Sequence, residues 1–123
     1  MLKCISKTIT TNSTALLAAL LLFISCSTFA SERADKGWQL ISEGALVIDV
    51  RTPQEFSAGH LDDALNYPLS ELDRHVADLD KSQLIVVYCR SGARSGRAYE
   101  YLLSQGFTRI HNAGGLEEML AAE

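Results

Sequence analysis

Residues 86–97 read VVYCRSGARSGR, which joins the end of a strand pattern to the start of a helix pattern through a short glycine-containing segment. The segment QLIVVY at residues 83–88 contains three β-branched residues and predicts a buried strand. An amphipathic pattern over residues 95–105 predicts the helix, and residues 89–94 form the Cys89 loop between them. In parallel α/β sheets, ligands bind beyond the carboxyl ends of the strands. We therefore expect Cys89 to lie at a binding site.

The flanking sequence alternates between strand and helix patterns in the same way. Capping signals separate these patterns: a Thr-Pro pair can begin a helix, and a glycine can end one. Such alternation predicts βαβ units, hence an α/β fold with a mostly parallel sheet and helices on both faces. The predicted strands cover residues 45–50, 64–67, 83–88 and 108–111, the predicted helices cover residues 36–43, 53–58, 70–79, 95–105 and 116–122, and residues 112–115 are predicted as a turn.

The surroundings of Cys89 favour a reactive thiolate. Gly92 can adopt backbone angles that turn successive N–H groups toward one concavity, and the following helix adds a partial positive charge at its N-terminus. Arg90 and Arg94 add full positive charges nearby. Cysteines in such surroundings have thiol pKa values of roughly 3.5–7.5, against about 8.5 for a free thiol. We therefore predict that Cys89 is a nucleophile, rather than a small hydrophobic side chain that fills space beneath a turn.

The amino-terminal residues differ in composition from the remainder of the chain. Two lysines precede an unbroken apolar run at positions 15–24, and small or polar residues follow up to Ala30. This order is typical of a secretory signal peptide. We predict a signal peptide at residues 1–30, cleavage after Ala30, and a single domain at residues 31–123 that is located in the periplasm.

The apolar run has two other interpretations. A retained membrane helix needs about 20 apolar residues, and the run at positions 15–24 is too short for that. Cys26 follows Phe-Ile-Ser, which is close to a bacterial lipoprotein signal, although such signals prefer leucine at the first of these positions. If Cys26 carries a lipid, the domain is anchored to a membrane. Otherwise we expect no membrane contact after cleavage.

Charge and cysteine content narrow the function of the predicted domain. Residues 31–123 carry nine basic and 15 acidic side chains, a net charge of −6. This acidity argues against binding to nucleic acid or to an anionic membrane surface. Cys89 is the single cysteine of this range, so it has no partner for an internal disulfide. An odd cysteine in an exported protein indicates a reactive thiol or an intermolecular bond.

Four short motifs occur in one order along residues 38–119. They are VIDVR at 47–51, continued by EF at 55–56 and GHL at 59–61; ALNYP at 64–68; YCRSGARS at 88–95; and GF at 106–107 with NAGGL at 112–116. Each motif alone carries little weight, but all four in this order are specific. Together they resemble the rhodanese family in its single-domain, exported form.

The resemblance implies a small α/β fold around a five-stranded, mostly parallel sheet, and an enzyme that transfers sulfane sulfur. Cys89 would carry the sulfur as a persulfide, taken from an anionic donor such as thiosulfate and passed to cyanide or a thiol. The resemblance implies no metal and no organic cofactor. We expect small-molecule partners, no nucleic acid, and a monomer. The remaining residues of the loop would bind the donor: Arg90, Ser91, Gly92, Ala93 and Arg94.

Two residues outside the Cys89 loop have both a functional and a structural interpretation. Arg51 should lie near the mouth of the site and is a candidate donor-binding residue, but a structural ion pair with Asp49 is the favoured interpretation. His60 could act as a general base. Hydrogen bonds that hold a loop are favoured for it, because a preformed thiolate needs little proton transfer.

Three other functions are compatible with a reactive cysteine loop. A phosphatase or arsenate reductase of related fold uses a Cys-x5-Arg loop, whereas Cys89 and Arg94 form a shorter Cys-x4-Arg loop that suits sulfur better than a tetrahedral phosphate. A non-catalytic rhodanese-like sulfur-carrier or binding module usually lacks the cysteine. A redox partner that forms mixed disulfides needs a second cysteine to resolve them. We therefore predict a thiosulfate sulfurtransferase.

Overall fold

The computed structural model describes residues 29–123, and within this range residues 31–123 form one compact unit. The predicted signal peptide lies outside the described residues except for Phe29 and Ala30, and so does Cys26. Cleavage after Ala30 stays a prediction. Among the described residues, no helix is both long and apolar enough to cross a membrane.

Helices and strands alternate along the described residues, as the sequence predicts. The elements in chain order are α1 (Phe29–Ser42), β1 (Leu46–Asp49), α2 (Pro53–Ala58), β2 (Leu65–Asn66), a 3₁₀ turn (Leu69–Glu71), α3 (Leu72–Val76), β3 (Ile85–Cys89), α4 (Ala93–Ser104), β4 (Ile110–Gly115) and α5 (Leu116–Ala121).

The strands of residues 29–123 form one sheet in the order β2-β1-β3-β4, and every neighbouring pair is parallel. Successive side chains of a strand point to opposite faces. On one face Val87 packs with Leu102 of α4, and on the other Val86 packs with Met119 of α5. The α/β class, the parallel sheet and the helices on both faces are therefore confirmed. The resemblance implied five strands, of which the described part of the chain contains four.

Helix α1 begins well before its predicted start at Lys36. Its face toward the sheet carries small residues: Ala34 is completely buried, and a Cβ added at Gly37 would lie 2.8 Å from the Cβ of Ala113. Small side chains allow a helix to pack closely but produce little apolar periodicity, so the sequence pattern predicts too short a helix. The longer helix includes Arg33, which precedes the predicted helix.

Two boundaries differ from prediction beside the Cys89 loop. Cys89 is the last residue of β3, and α4 begins at Ala93, two residues earlier than predicted. Strand β4 continues to Gly115 through the segment predicted as a turn, because Gly115 pairs with Cys89 across an irregularity in the register. A Cβ added at Gly115 would overlap the carbonyl oxygen of Arg90, so glycine is required for this close approach.

The elements between β1 and β3 are short. Helix α2 begins as predicted: the Thr52 hydroxyl accepts from the backbone N–H of Glu55, and the Glu55 carboxylate accepts from the N–H of Thr52. This capping box fixes the position of Glu55 on the first turn. The helix predicted over residues 70–79 is instead the 3₁₀ turn followed by α3, which ends at Val76.

Candidate active site

The Cys89 loop wraps around the sulfur atom of Cys89. Gly92 has a φ of 98°, in the left-handed region that favours glycine, and its N–H donates to Cys89 Sγ at 3.0 Å. Helix α4 begins directly after Gly92, so Sγ lies at the end of the helix where the dipole is positive. Ser95, in the first turn of α4, can donate from its hydroxyl to Sγ at 3.4 Å.

These contacts lower the pKa of the Cys89 thiol below its ordinary value. Burial is the largest single influence and acts in the opposite direction, because a buried thiolate loses its hydration. The hydroxyl of Ser95 and the backbone N–H groups of Ser95, Ser91 and Gly92 together outweigh burial. We call these three residues the thiolate cradle. Neutral hydrogen-bond donors at short range therefore favour the thiolate that the sequence predicts.

The sequence did not reveal the role of Ser95. Its side chain is completely buried, and its hydroxyl lies 2.7 Å from Asn112 Oδ1 as well as 3.4 Å from Cys89 Sγ. A hydroxyl proton serves one acceptor at a time, so Ser95 can donate either to Asn112 or to sulfur. Asn112 Nδ2 in turn donates to the carbonyl of Gly92 at 3.2 Å. Both residues lie within quoted motifs, but only the pairing of β3 with β4 brings them together.

Arg94 is held by a carboxylate on α2. Its Nη1 and Nη2 donate to Glu55 Oε1 and Oε2 at 2.7 and 2.9 Å. This contact lowers the pKa of Glu55 to about 2, mainly through the hydrogen bonds from Arg94. The positive charge of Arg94 is thus paired rather than directed at sulfur alone. Its role in donor binding stays a prediction.

Arg51 makes buried hydrogen bonds that support the fold. Its guanidinium is almost fully buried and donates from Nη2 to Asp49 Oδ2 at 2.6 Å and to the carbonyl of Gly59 at 2.6 Å. The Arg51 Cζ also lies 5.7 Å from the centroid of the Tyr88 ring. This geometry agrees with the structural ion pair favoured from the sequence. A role of Arg51 in donor binding stays a prediction.

His60 also makes contacts that hold a loop. Its Nδ1 lies 2.7 Å from the carbonyl oxygen of Phe56, and its ring stacks on the Phe56 ring with centroids 3.6 Å apart. Both contacts connect the end of α2 to the segment that follows. They agree with the structural interpretation of His60.

Three of the predicted donor-binding residues are exposed on the loop. Arg90, Ser91 and Ala93 all face solvent. Within residues 29–123, the guanidinium of Arg90 has no carboxylate partner at ion-pair distance. Arg90 is therefore available to an incoming anion.

The structure adds an arginine that the sequence did not place at the site. Arg33 of α1 donates from Nε and Nη2 to the two carboxylate oxygens of Glu118 on α5, each at 2.8 Å. Its Nη2 also donates to the carbonyl of Ser91 at 3.2 Å. Glu118 lies 85 positions away in sequence and Ser91 58 positions away, so no local pattern could indicate these contacts.

A surface cleft of about 340 Å³ lies beyond the carboxyl ends of β1 and β2. Cys89 does not line it, and its side chain is completely buried beneath the loop. In the described part of the chain, no three His, Cys, Asp or Glu side chains are grouped to hold a metal ion. The cleft is lined by Val50, Arg51, Thr52, Pro68, Leu69, Ser70, Arg94 and Arg97.

Comparison with known proteins gives consistent matches. Residues 33–122 match the family described as Rhodanese-like domain. The thiosulfate sulfurtransferase PspE of Escherichia coli is 37% identical over 105 residues, which cover 84% of this chain and 88% of that protein. The thiosulfate sulfurtransferase GlpE of Pseudomonas putida is 39% identical over 83 residues, or 65% of this chain and 73% of the relative.

Solved structures agree with these matches. A rhodanese with anions from E. coli has a TM-score of 0.57 at 39% identity and covers 61% of this chain and 91% of its own. A rhodanese-related protein from Thermoplasma volcanium has a TM-score of 0.63 at 30% identity and covers 72% of this chain and 87% of its own. These relationships confirm the predicted family and the assignment of the protein as a sulfurtransferase. The chain belongs to the rhodanese-like domain family.

Proposed function

We propose that this protein transfers sulfane sulfur from thiosulfate to a thiol or cyanide through a persulfide on Cys89. The observation that carries the proposal is the thiolate cradle: Sγ lies 3.0 Å from the N–H of Gly92 and within reach of the Ser95 hydroxyl, and the pKa of the thiol is lowered. Relatives that are named thiosulfate sulfurtransferases support thiosulfate as the donor.

The first step loads the enzyme with sulfur. The Cys89 thiolate attacks the outer sulfur of thiosulfate and forms a new S–S bond. The S–S bond of thiosulfate breaks, and its electron pair leaves with sulfite. No proton is transferred, because the nucleophile is already ionised and sulfite leaves as an anion. The step needs no general acid or base, which agrees with the loop-holding contacts of His60.

The second step unloads it. A thiolate or cyanide attacks the terminal sulfur of the Cys89 persulfide and forms a new bond to it. The S–S bond to Cys89 breaks, and its electron pair returns to Cys89 as the thiolate. The product is the persulfide of the acceptor thiol or, with cyanide, thiocyanate. Until then, the N–H groups of the thiolate cradle can stabilise the negative charge of the persulfide. The complete burial of Cys89 favours small acceptors, since a bulky one must first displace the loop.

The contact of Arg94 with Glu55 argues against a phosphatase. Phosphate-transferring sites use an arginine fork to bind the oxygens of the transferred group. Here both ends of the Arg94 guanidinium are occupied by Glu55. A phosphate would have to displace that carboxylate, whereas the sulfane sulfur needs only the N–H groups near Sγ.

Mass spectrometry tests the proposal directly. Treatment of residues 31–123 with thiosulfate should add one sulfur atom to Cys89, and cyanide should remove it with formation of thiocyanate. Cys89→Ser should show neither reaction, while Ser104→Ala, which changes an exposed side chain at the far end of α4, serves as the matched control that keeps both. Absence of the adduct in the wild type would favour a binding module. Cys89-dependent hydrolysis of an aryl phosphate would favour a phosphatase.

We also propose that the enzyme acts in the periplasm. The pattern of residues 1–30 supports export. Fractionation of cells that express the full chain should place the protein in the periplasmic fraction with Ser31 at its amino terminus. Recovery of a membrane-bound, lipid-modified form that begins at Cys26 would favour the lipoprotein alternative.

A further inference from the structure

Arg33 forms the outer edge of the thiolate cradle. A Cβ added at Gly92 would lie 2.8 Å from Arg33 Nη1, 3.0 Å from Nη2 and 3.2 Å from Cζ, so the guanidinium lies directly against Gly92. The N–H of Gly92 in turn lies 3.0 Å from Cys89 Sγ. One residue of backbone therefore separates a full positive charge on α1 from the reactive sulfur.

The guanidinium of Arg33 is anchored but still able to bind an anion. Glu118 holds Nε and Nη2, and Nη2 also reaches the carbonyl of Ser91. Among residues 29–123, no acceptor receives a hydrogen bond from Nη1. The side chain of Arg33 is 42% exposed, whereas that of Glu118 is 18% exposed. Arg33 therefore presents the more accessible charge of the pair.

Electrostatics connect Arg33 to the sulfur. The pKa of Arg33 is raised, mainly by its hydrogen bonds to Glu118, and the negative charge of the Cys89 thiolate also contributes. Arg33 therefore lies within the field of the reacting atom. A charge at this place also acts on whatever anion approaches Sγ.

We propose that Arg33 binds the sulfonate end of the sulfur donor and makes the enzyme prefer dianionic over monoanionic donors. This inference rests on the proposed transfer from thiosulfate. When the outer sulfur of thiosulfate meets Sγ, the sulfonate end must lie on the far side of that sulfur, away from the buried floor of the cradle. Arg33, which lies against Gly92 and is 42% exposed, carries a positive charge at the solvent-facing edge of the cradle. Nη1 of Arg33 supplies a donor for a sulfonate oxygen.

A substitution of Glu118 offers a matched control, because it disrupts the same ion pair by removing the carboxylate instead of the guanidinium. Arg33→Gln removes the positive charge, whereas Glu118→Gln retains it and removes the neutralising carboxylate. If Arg33 binds the donor, these two variants should change the KM for thiosulfate in opposite directions. If the pair only supports the fold, both variants should have the same effect.

The test measures steady-state kinetics with thiosulfate and with an aryl thiosulfonate, which carries one negative charge. Loss of a hydrogen bond to a charged group predicts a rise of about tenfold in the thiosulfate KM of Arg33→Gln, with kcat nearly unchanged. We expect a rise of about twofold for the thiosulfonate, because less charge is involved. Arg33→Lys should restore part of the loss, since it keeps the charge but not the planar fork.

Salt provides a second measurement. The wild-type KM for thiosulfate should rise with ionic strength, and this dependence should be weaker in Arg33→Gln, because screening acts on an exposed charge. Equal KM values in wild type and Arg33→Gln for both donors would overturn the inference, as would a parallel rise in Arg33→Gln and Glu118→Gln. Mass spectrometry separates this failure from that of the proposed function: wild-type Cys89 that acquires no sulfur refutes the reaction itself.

Discussion

The groups that contact the sulfur of Cys89 and the arginines that surround them differ in charge and in function. Close to the sulfur, the donors are neutral: backbone N–H groups and the hydroxyl of Ser95 lower the pKa of the thiol. Farther out, three arginines are each paired with a carboxylate: Arg51 with Asp49, Arg94 with Glu55 and Arg33 with Glu118. The pKa of Cys89 is thus lowered by short-range neutral donors, against the effect of burial. Arg51 instead stabilises the fold, whereas Arg33 presents its charge to solvent at the edge of the cradle.

The outer pairs also differ from one another in burial. The side chains of Arg51 and Asp49 are 7% and 0% exposed, whereas those of Arg94 and Glu55 are 33% and 30% exposed. A buried pair cannot exchange its partner for a solvent molecule, so each member depends on the other. A half-exposed pair loses less when it is disrupted, because water can replace part of the lost contact. Burial thus separates a structural arginine from arginines that can serve a substrate.

The largest expected effect follows from disrupting the buried pair. Asp49→Asn leaves the Arg51 guanidinium buried beside a neutral amide, so we expect the free energy of unfolding to fall by about 3 kcal/mol. Urea unfolding monitored by circular dichroism measures it. Glu118→Gln disrupts an exposed pair and should cost less than about 1 kcal/mol. Equal losses in the two variants would show that burial does not distinguish the pairs.

A smaller effect, on the reactivity of Cys89 rather than on stability, is expected when the Ser95 hydroxyl is removed. The Ser95 hydroxyl favours the thiolate, so Ser95→Ala should raise the pKa of Cys89 and move the onset of activity to higher pH. In mildly acidic buffer, transfer should slow by about tenfold, and it should recover in alkaline buffer. The pH dependence of Cys89 alkylation provides the measurement. Ser91→Ala, whose contribution is its backbone N–H, should leave the profile unchanged.

The smallest expected effect is on the stability contributed by the half-exposed pair of Arg94 and Glu55. The pKa of Glu55 is about 2 in the fold against an ordinary value of 4.5, so the pair stabilises the fold above pH 4.5 and this contribution is lost as the pH falls toward 2. Glu55→Gln should lower stability at neutral pH by at most about 1 kcal/mol and flatten the acid side of the stability profile. Urea midpoints between neutral pH and pH 2 test this.

Arg94→Gln is the matched partner for that measurement. It should flatten the same part of the profile, and the double variant should add nothing further, because both changes remove one interaction. Additive losses would show that the two side chains act independently.

Local pattern was sufficient for the class of fold and for the position of Cys89 at the end of a strand. The β-branched run before Cys89 and the glycine after it predict a strand, a loop and a helix, and the structure has them with boundaries shifted by two residues or fewer at α4. The helix start at Thr52 and Pro53 was also visible, because both residues are adjacent in the chain, whereas the part of Glu55 in the capping box came from the structure. Helix α1 was underestimated, since the first part of its buried face carries small residues such as Ala34 and Gly37, ahead of the apolar contacts at Trp38 and Ile41.

Sequence alone was enough for the parallel α/β architecture, the family and the position of Cys89, because these depend on short periodicities and on motifs whose members are close together in the chain. The partners of the charged and polar side chains could be identified only from the tertiary structure. Arg94 meets Glu55 across 39 positions, Ser95 meets Asn112 across 17, and Arg33 meets Glu118 across 85. Such pairings depend on how strands and helices are placed in space. For this reason, the amides and the serine that ionise the sulfur, and the arginine at its edge, could be recognised only in the folded protein.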